Sequence, residues 1–150
     1  MERDLQSISD ITDGGCAFVC DNAGDVIATS DPPGLATVTM NQIGRAAAQV
    51  FQAMSAAGRP ADRAEFQYDA WHLFARDIGA ATVLIVMRPG ADLPFVRMAT
   101  DSAVVGWRAD KNVQKRLARL AAIREAPLAI RRSDERDFRG LRAQLPGARV

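Results

Sequence analysis

The stretch Ala64–Met87, AEFQYDAWHLFARDIGAATVLIVM, decides the architecture. Ala64–Tyr68 alternates polar and apolar residues, the pattern of a half-exposed strand. After Asp69-Ala70, Trp71–Ile78 alternates again. Gly79-Ala80-Ala81 reads as a turn, and Thr82–Met87 is apolar at every step after Thr82, as expected of a central strand covered on both faces. Three strands in succession therefore occupy the middle of the chain.

Upstream lies the clearest helix, over Val38–Ala57. Met40, Ile43, Ala47, Val50 and Met54 recur at three and four, which makes one apolar stripe. Asp31-Pro32-Pro33-Gly34 precedes it and Gly58-Arg59-Pro60 ends it. Before that, Cys16–Asp21 (CAFVCD) and Val26–Thr29 read as a hairpin closed by Asn22-Ala23-Gly24-Asp25. Met1–Thr12, with Leu5, Ile8 and Ile11 on one side, reads as a short helix. Downstream, Val96, Ala99, Ala103 and Trp107 mark another helix from Leu93. Val113, Leu117, Leu120 and Ala121 form a further stripe that does not phase with it, because Asp110 and Gln114 fall where apolar residues should. Ser133–Leu145 reads as one more helix, with Phe138, Leu141 and Leu145 on one face.

The chain has 150 residues, 48% of them hydrophobic, which suits one domain plus an appendage and excludes wholesale disorder. No apolar run reaches the ~18 residues of a membrane-spanning helix, and the N-terminus lacks the basic start and apolar block of a secretory signal, so a cytoplasmic protein is expected. The net charge of +1 hides a division. Residues 1–110 carry 8 basic and 14 acidic side chains, net −6, whereas residues 111–150 carry 11 and 4, net +7. The expected organisation is an acidic folded body over 1–110 and an Arg-rich, helical or partly disordered extension over 111–150. Such a tail could dock on an acidic partner or a membrane surface; nucleic acid is the less expected target.

Catalytic chemistry is scarce. His72 is the only imidazole and sits in an alternating strand, not in a catalytic turn. There is no GxxxxGK[ST] loop and no GxGxxG after a strand. Cys16 and Cys20, if on one strand, lie about 13 Å apart, beyond the ~7 Å that a disulfide spans, and read as reduced core thiols. Asp21, Asp25 and Asp31 lack calcium-loop spacing and read as turn residues. No catalytic residue, cofactor or metal site is expected.

The long helix says more. Over Val38–Ala57 the only charge is Arg45, and the non-core face offers neutral polar residues: Asn41, Gln42, Gln49, Gln52 and Ser55. A solvated helix usually carries several charges, whereas interface cores are charge-depleted. Gly44 and Ala48, four apart, suggest a thin side for close helix approach. The strand Ala64–Tyr68 has no Pro or Lys to blunt an edge, so it can pair with a copy of itself.

Taken together, GGCAFVCDNAGDVIATS as a first hairpin, GLATVTMNQIGRAAAQVFQAM as a long helix, AEFQYDAWHLFARDIGAATVLIVM as a meander and DLPFVRMATDSAVV as a closing helix resemble the roadblock domain family, which includes dynein light chains and bacterial regulators of Ras-like small GTPases. The likeness runs from Ile11 to about Ala109 and rests on the order and lengths of elements, since no single motif is diagnostic. It implies an α+β fold of order α-β-β-α-β-β-β-α, a roadblock/profilin-like five-stranded antiparallel sheet with helices on both faces, plus a C-terminal helical tail. It also implies a homodimer in which the third strands pair and the second helices lie side by side, forming the platform for a small GTPase. On that reading Asn41, Gln42, Arg45, Gln49, Gln52, Gly44 and Ala48 on the helix, with Glu65, Phe66, Gln67 and Tyr68 on the strand, face the partner or the second copy. Arg45 would serve as a polar contact or, less simply, as an arginine finger. The protein would be a non-catalytic regulator or scaffold. The alternative is a ligand-sensing or structural module of profilin/PAS-like shape, with a pocket lined by Trp71, Phe74, Phe95 and Trp107.

Overall fold

A computed structural model describes residues 1–124, with side chains through residue 120. The expected helix over 133–145, with Phe138, Leu141 and Leu145, lies outside the described residues. The elements are α1 (Glu2–Asp10), β1 (Cys16–Asp21), β2 (Val26–Thr29), α2 (Thr37–Ala56), β3 (Arg63–Gln67), β4 (His72–Asp77), β5 (Ala81–Met87), α3 (Leu93–Ala109) and α4 (Lys111–Arg124). Strand and helix bounds agree with the periodicity reading to within one or two residues.

The strands form one antiparallel sheet in the order β2-β1-β5-β4-β3. The apolar run of β5 takes the centre, and every residue from Ala81 to Met87 is buried. Side chains alternate between two cores, as the strand period of two requires. Ala17, Val19, Phe74, Val83 and Ile85 point to a layer made by α1, α3 and α4. Cys16, Phe18, Cys20, Ala75, Leu84 and Val86 point to α2, which meets them with Met40, Ala47 and Phe51. Helices thus cover both faces, in the α+β arrangement expected.

The misfit between the two downstream stripes has a local cause. Asp110 leaves the helical region (φ −85°, ψ 114°), and its carboxylate accepts the Asn112 and Val113 N–H groups at 2.8 and 3.3 Å. It is the N-cap of a new helix. Gln114 donates to the Trp107 carbonyl at 2.8 Å, adding to the 3.3 Å bond that this carbonyl accepts from the Asp110 N–H at the end of α3. The two polar residues that break the phase are the caps of a kink.

Packing continues past residue 110. Val113 and Leu117 are buried in the same cluster as Leu5, Ile8 and Trp107. Arg116 pairs with Glu2 at 2.6 Å, and the Trp107 indole donates to Asp4 at 2.6 Å. The first turns of the basic extension therefore pack into the same helical layer, with Arg116 reaching the acidic N-terminal helix.

Candidate interaction surface

β3 is an edge strand, bonded only to β4. Asp77 N–H donates to Asp62 O and Tyr68 N–H to Trp71 O, both at 2.8 Å, at the two ends of the pairing. Antiparallel alternation then turns the backbone groups of Arg63, Glu65 and Gln67 to the open side. Among the described residues no other backbone or side-chain group bonds to them. Their side chains are exposed, while Ala64 and Phe66 are half-buried toward α2.

α2 lies over β2, β1 and β5 and leaves a trough toward the β3–β4 end. This trough has a volume of about 560 Å³ and is almost wholly apolar. Ile43, Ala46 and Val50 wall it on the helix side, and Phe66, Tyr68, Trp71 and Leu73 on the sheet side. Tyr68 is 62% exposed and Trp71 36%, large apolar surfaces for a soluble face. The Arg88 guanidinium sits 5.6 Å from the Trp71 ring centre, within cation–π range.

The helix residues singled out from sequence do not share one face. Gln42 lines the trough, and Gln49 is exposed on the crest. Ala48 and Gln52 line a separate polar notch of about 200 Å³ on the opposite flank, with Asn22, Asp77 and Thr82. Arg45 is on that flank too, 3.7 Å from Asp25, with both side chains 59% exposed. Such a pair adds little stability. Asn41 is spent on the fold: its side-chain oxygen accepts the Val26 N–H at 3.0 Å. Gly44 is buried toward the sheet, where a Cβ would lie 2.5 Å from Cys20 Sγ and 2.9 Å from Gly24 O. Its smallness seats α2 on β1 and does not thin the outer face. The thin outer positions are Ala46 and Ala53, both exposed. Their signal was present in the sequence: Gln42, Ala46, Gln49 and Ala53 follow at 4, 3 and 4, all small or neutral.

On the strand, Phe66 and Tyr68 join the trough, whereas Glu65 turns to the other face and ion-pairs with Arg97 of α3. Of the four aromatic residues considered for a pocket, only Trp71 lines this one. Phe74 and Trp107 are core residues of the opposite layer, and Phe95 is exposed on α3.

Neither thiol is poised for chemistry. Burial pushes the Cys16 thiol up to about 11, and burial with the nearby Asp21 and Asp25 carboxylates pushes Cys20 up to about 12. Among the described residues no three His, Cys, Asp or Glu side chains gather as a metal site would require. No described helix is long and apolar enough to cross a membrane.

Solved structures share this arrangement. A Roadblock/LC7 domain from Streptomyces avermitilis superposes with a TM-score of 0.63 at 14% identity, over 73% of this chain and 95% of that one. The fold is that of the Roadblock/LC7 domain. MglB of Myxococcus xanthus superposes with a TM-score of 0.58 at 12% identity, over 69% and 87% of the two chains. An MglB structure described as having a tetrameric arrangement gives 0.58 at 19%, over 80% and 86%. No family model and no curated protein matches the sequence. The likeness of this Roadblock/LC7 fold to its neighbours therefore lies in element order and packing, where the same backbone is reached by largely different side chains.

Proposed function

We propose that this protein is a non-catalytic homodimeric regulator or scaffold for a Ras-like small GTPase, built by pairing β3 with its copy and setting two α2 helices side by side. The observation that carries this reading is the coincidence of an unpaired β3 edge with an apolar trough beside a helix that bears a single charge. A second copy that extends the sheet at Arg63, Glu65 and Gln67 also brings apolar surface over Phe66, Tyr68 and Trp71. Gln42, Ala46, Gln49 and Ala53 then face the helix seam, and the small Ala46 and Ala53 let two helices approach closely. Arg45 and Gln52, with Ala48 beside them, are left on the far flank for the GTPase. The Roadblock/LC7 fold of the neighbours supports the assignment, as does the tetrameric arrangement of one MglB.

The test has two stages. Glu65→Pro removes an N–H that faces the open edge and that the ladder with β4 does not use, a position where proline is tolerated. It is expected to give a folded monomer by sedimentation and circular dichroism, with Glu65→Ala as the control for the lost Arg97 pair. A wild-type monomer at micromolar concentration would refute the dimer. The wild-type protein is then titrated with Ras-like GTPases of the same organism, loaded with GDP or a non-hydrolysable GTP analogue. Nucleotide-dependent binding weakened by Gln52→Glu or Arg45→Glu is expected, and no binding to any of them refutes the partner class.

The trough supports a second reading, that of a sensor for an apolar ligand. Its volume lies within the ~300–1,000 Å³ of small-molecule sites. An apolar metabolite carried through native purification by a monomer would favour it over the dimer.

A further inference from the structure

The sheet has two edges, and the second is treated differently. In β2, Ala28 pairs with Val19 and Val26 with Cys20, which leaves Ile27 as an extra residue between them. Such a bulge twists an edge strand away from partners. Side chains from three helices take some of the backbone groups along this edge that the β1 ladder does not use. Asn41 of α2 accepts the Val26 N–H at 3.0 Å. Arg116 of α4 donates to the Ile27 carbonyl. Gln6 of α1 accepts the Asp31 N–H at 2.9 Å, just beyond the strand. The β3 edge has no such attention among the described residues.

We propose that Arg116 seals β2 against strand addition by a second copy of this chain, so that assembly by strand pairing is confined to β3. The geometry of α4 suits the task. Val113 and Leu117 anchor the helix in the core on either side of Arg116. Glu2 holds one guanidinium nitrogen at 2.6 Å and leaves the other for the Ile27 carbonyl. A planar, always charged donor fork fits two acceptors at once better than a lysine does. The consequence concerns closure. One pairing edge per protomer gives a closed pair, whereas two give an open-ended chain of copies. The first turns of the basic extension thereby limit assembly.

The experiment compares wild type, Arg116→Ala and Arg116→Lys by sedimentation over a concentration series, with hydrogen exchange read at the Thr29 amide. Arg116→Ala is expected to gain a concentration-dependent species of about twice the wild-type mass or more. In that species the Thr29 amide is slowed, because it then bonds to another copy. Arg116→Lys is expected to fall between the two. An unchanged mass at every concentration overturns the proposal, and so does a larger mass without slowing at Thr29. Should Arg116→Ala fail to fold, Arg116→Met keeps the aliphatic stem, removes the donor to Ile27 and is held to the same two readouts. Confinement to β3 rests on the proposed dimer, whereas the seal on β2 does not: a monomeric wild type would refute pairing at β3 and leave the comparison of wild type with Arg116→Ala intact.

Discussion

Replacing glycine by alanine in a helix should have opposite signs at two positions of this protein. Gly44 lies in the interior of α2 and Gly106 in the last turn of α3, and both changes gain up to about 1 kcal/mol in helix propensity. At Gly106 no heavy atom of the described residues outside the neighbouring helix backbone lies within 4 Å of the new methyl, so most of that gain should survive. At Gly44 the methyl would lie 2.5 Å from Cys20 Sγ, 2.9 Å from the Gly24 carbonyl oxygen and 3.0 Å from Cys20 Cβ. The sulfur belongs to a fully buried side chain, and the carbonyl belongs to a turn whose glycine has φ +89°, so neither yields by a simple rotation. Overpacking of this kind costs about 1–3 kcal/mol, with the upper half expected where backbone must move. Subtracting the propensity gain leaves Gly44→Ala destabilised by about 1–2 kcal/mol. Urea unfolding reads both variants. With a slope of about 1–3 kcal/mol per molar, the Gly44→Ala midpoint should fall by roughly 0.5–1.5 M and the Gly106→Ala midpoint should rise. A Gly44→Ala midpoint at or above wild type would refute the claim that this glycine exists to seat α2 on β1. It would return Gly44 to the list of outer-face positions.

Leu117→Ala should cost about 2 kcal/mol in the same assay, because the side chain is buried on a peripheral helix; a loss below about 0.5 kcal/mol would show that α4 lies outside the cooperative unit. Cys16 and Cys20 should resist alkylation at pH 8 in the native protein and react on unfolding, since burial holds both thiols far above that pH; rapid native labelling would place them in an open or mobile strand. The Arg116 guanidinium holds the Glu2 carboxyl below its ordinary 4.5, so the contribution of this pair is present above pH 4.5 and is lost as pH falls through the lower folded value. Glu2→Gln should therefore flatten the acid limb of the stability profile, and an unchanged limb would show that the pair is not formed in solution.

Much of the fold was legible because its signals are local. The alternation of Ala64–Tyr68, the unbroken apolar run of Thr82–Met87 and the stripe over Val38–Ala57 are each set by one element's burial, and each reappears with bounds shifted by a residue or two. The phase break at Asp110 and Gln114 was visible as well, but its meaning was not. A polar residue off the stripe looks the same whether it faces solvent or caps a kink, and only the Asp110 and Gln114 hydrogen bonds tell the two apart.

The candidate surface was legible in part. Composition alone marked α2 as charge-poor and β3 as unblunted. It could not say which flank of α2 a neutral residue occupies, because helix phase is referenced to a sheet whose position depends on distant contacts. Asn41 is bonded to Val26, fifteen residues away, and Gly44 is pressed on Cys20, twenty-four away. Both are neutral or small and so pass any compositional test for an interface. The charge division at residue 110 was likewise a property of the chain itself. That the basic side reaches back across the fold, with Arg116 spanning Glu2 and Ile27, required tertiary structure, since nothing local to α4 names an acceptor more than eighty residues earlier. Sequence determined the periodicities, the turns and the sparing use of charge. Packing decided which of two sheet edges remains open, because an edge is closed by side chains arriving from other elements.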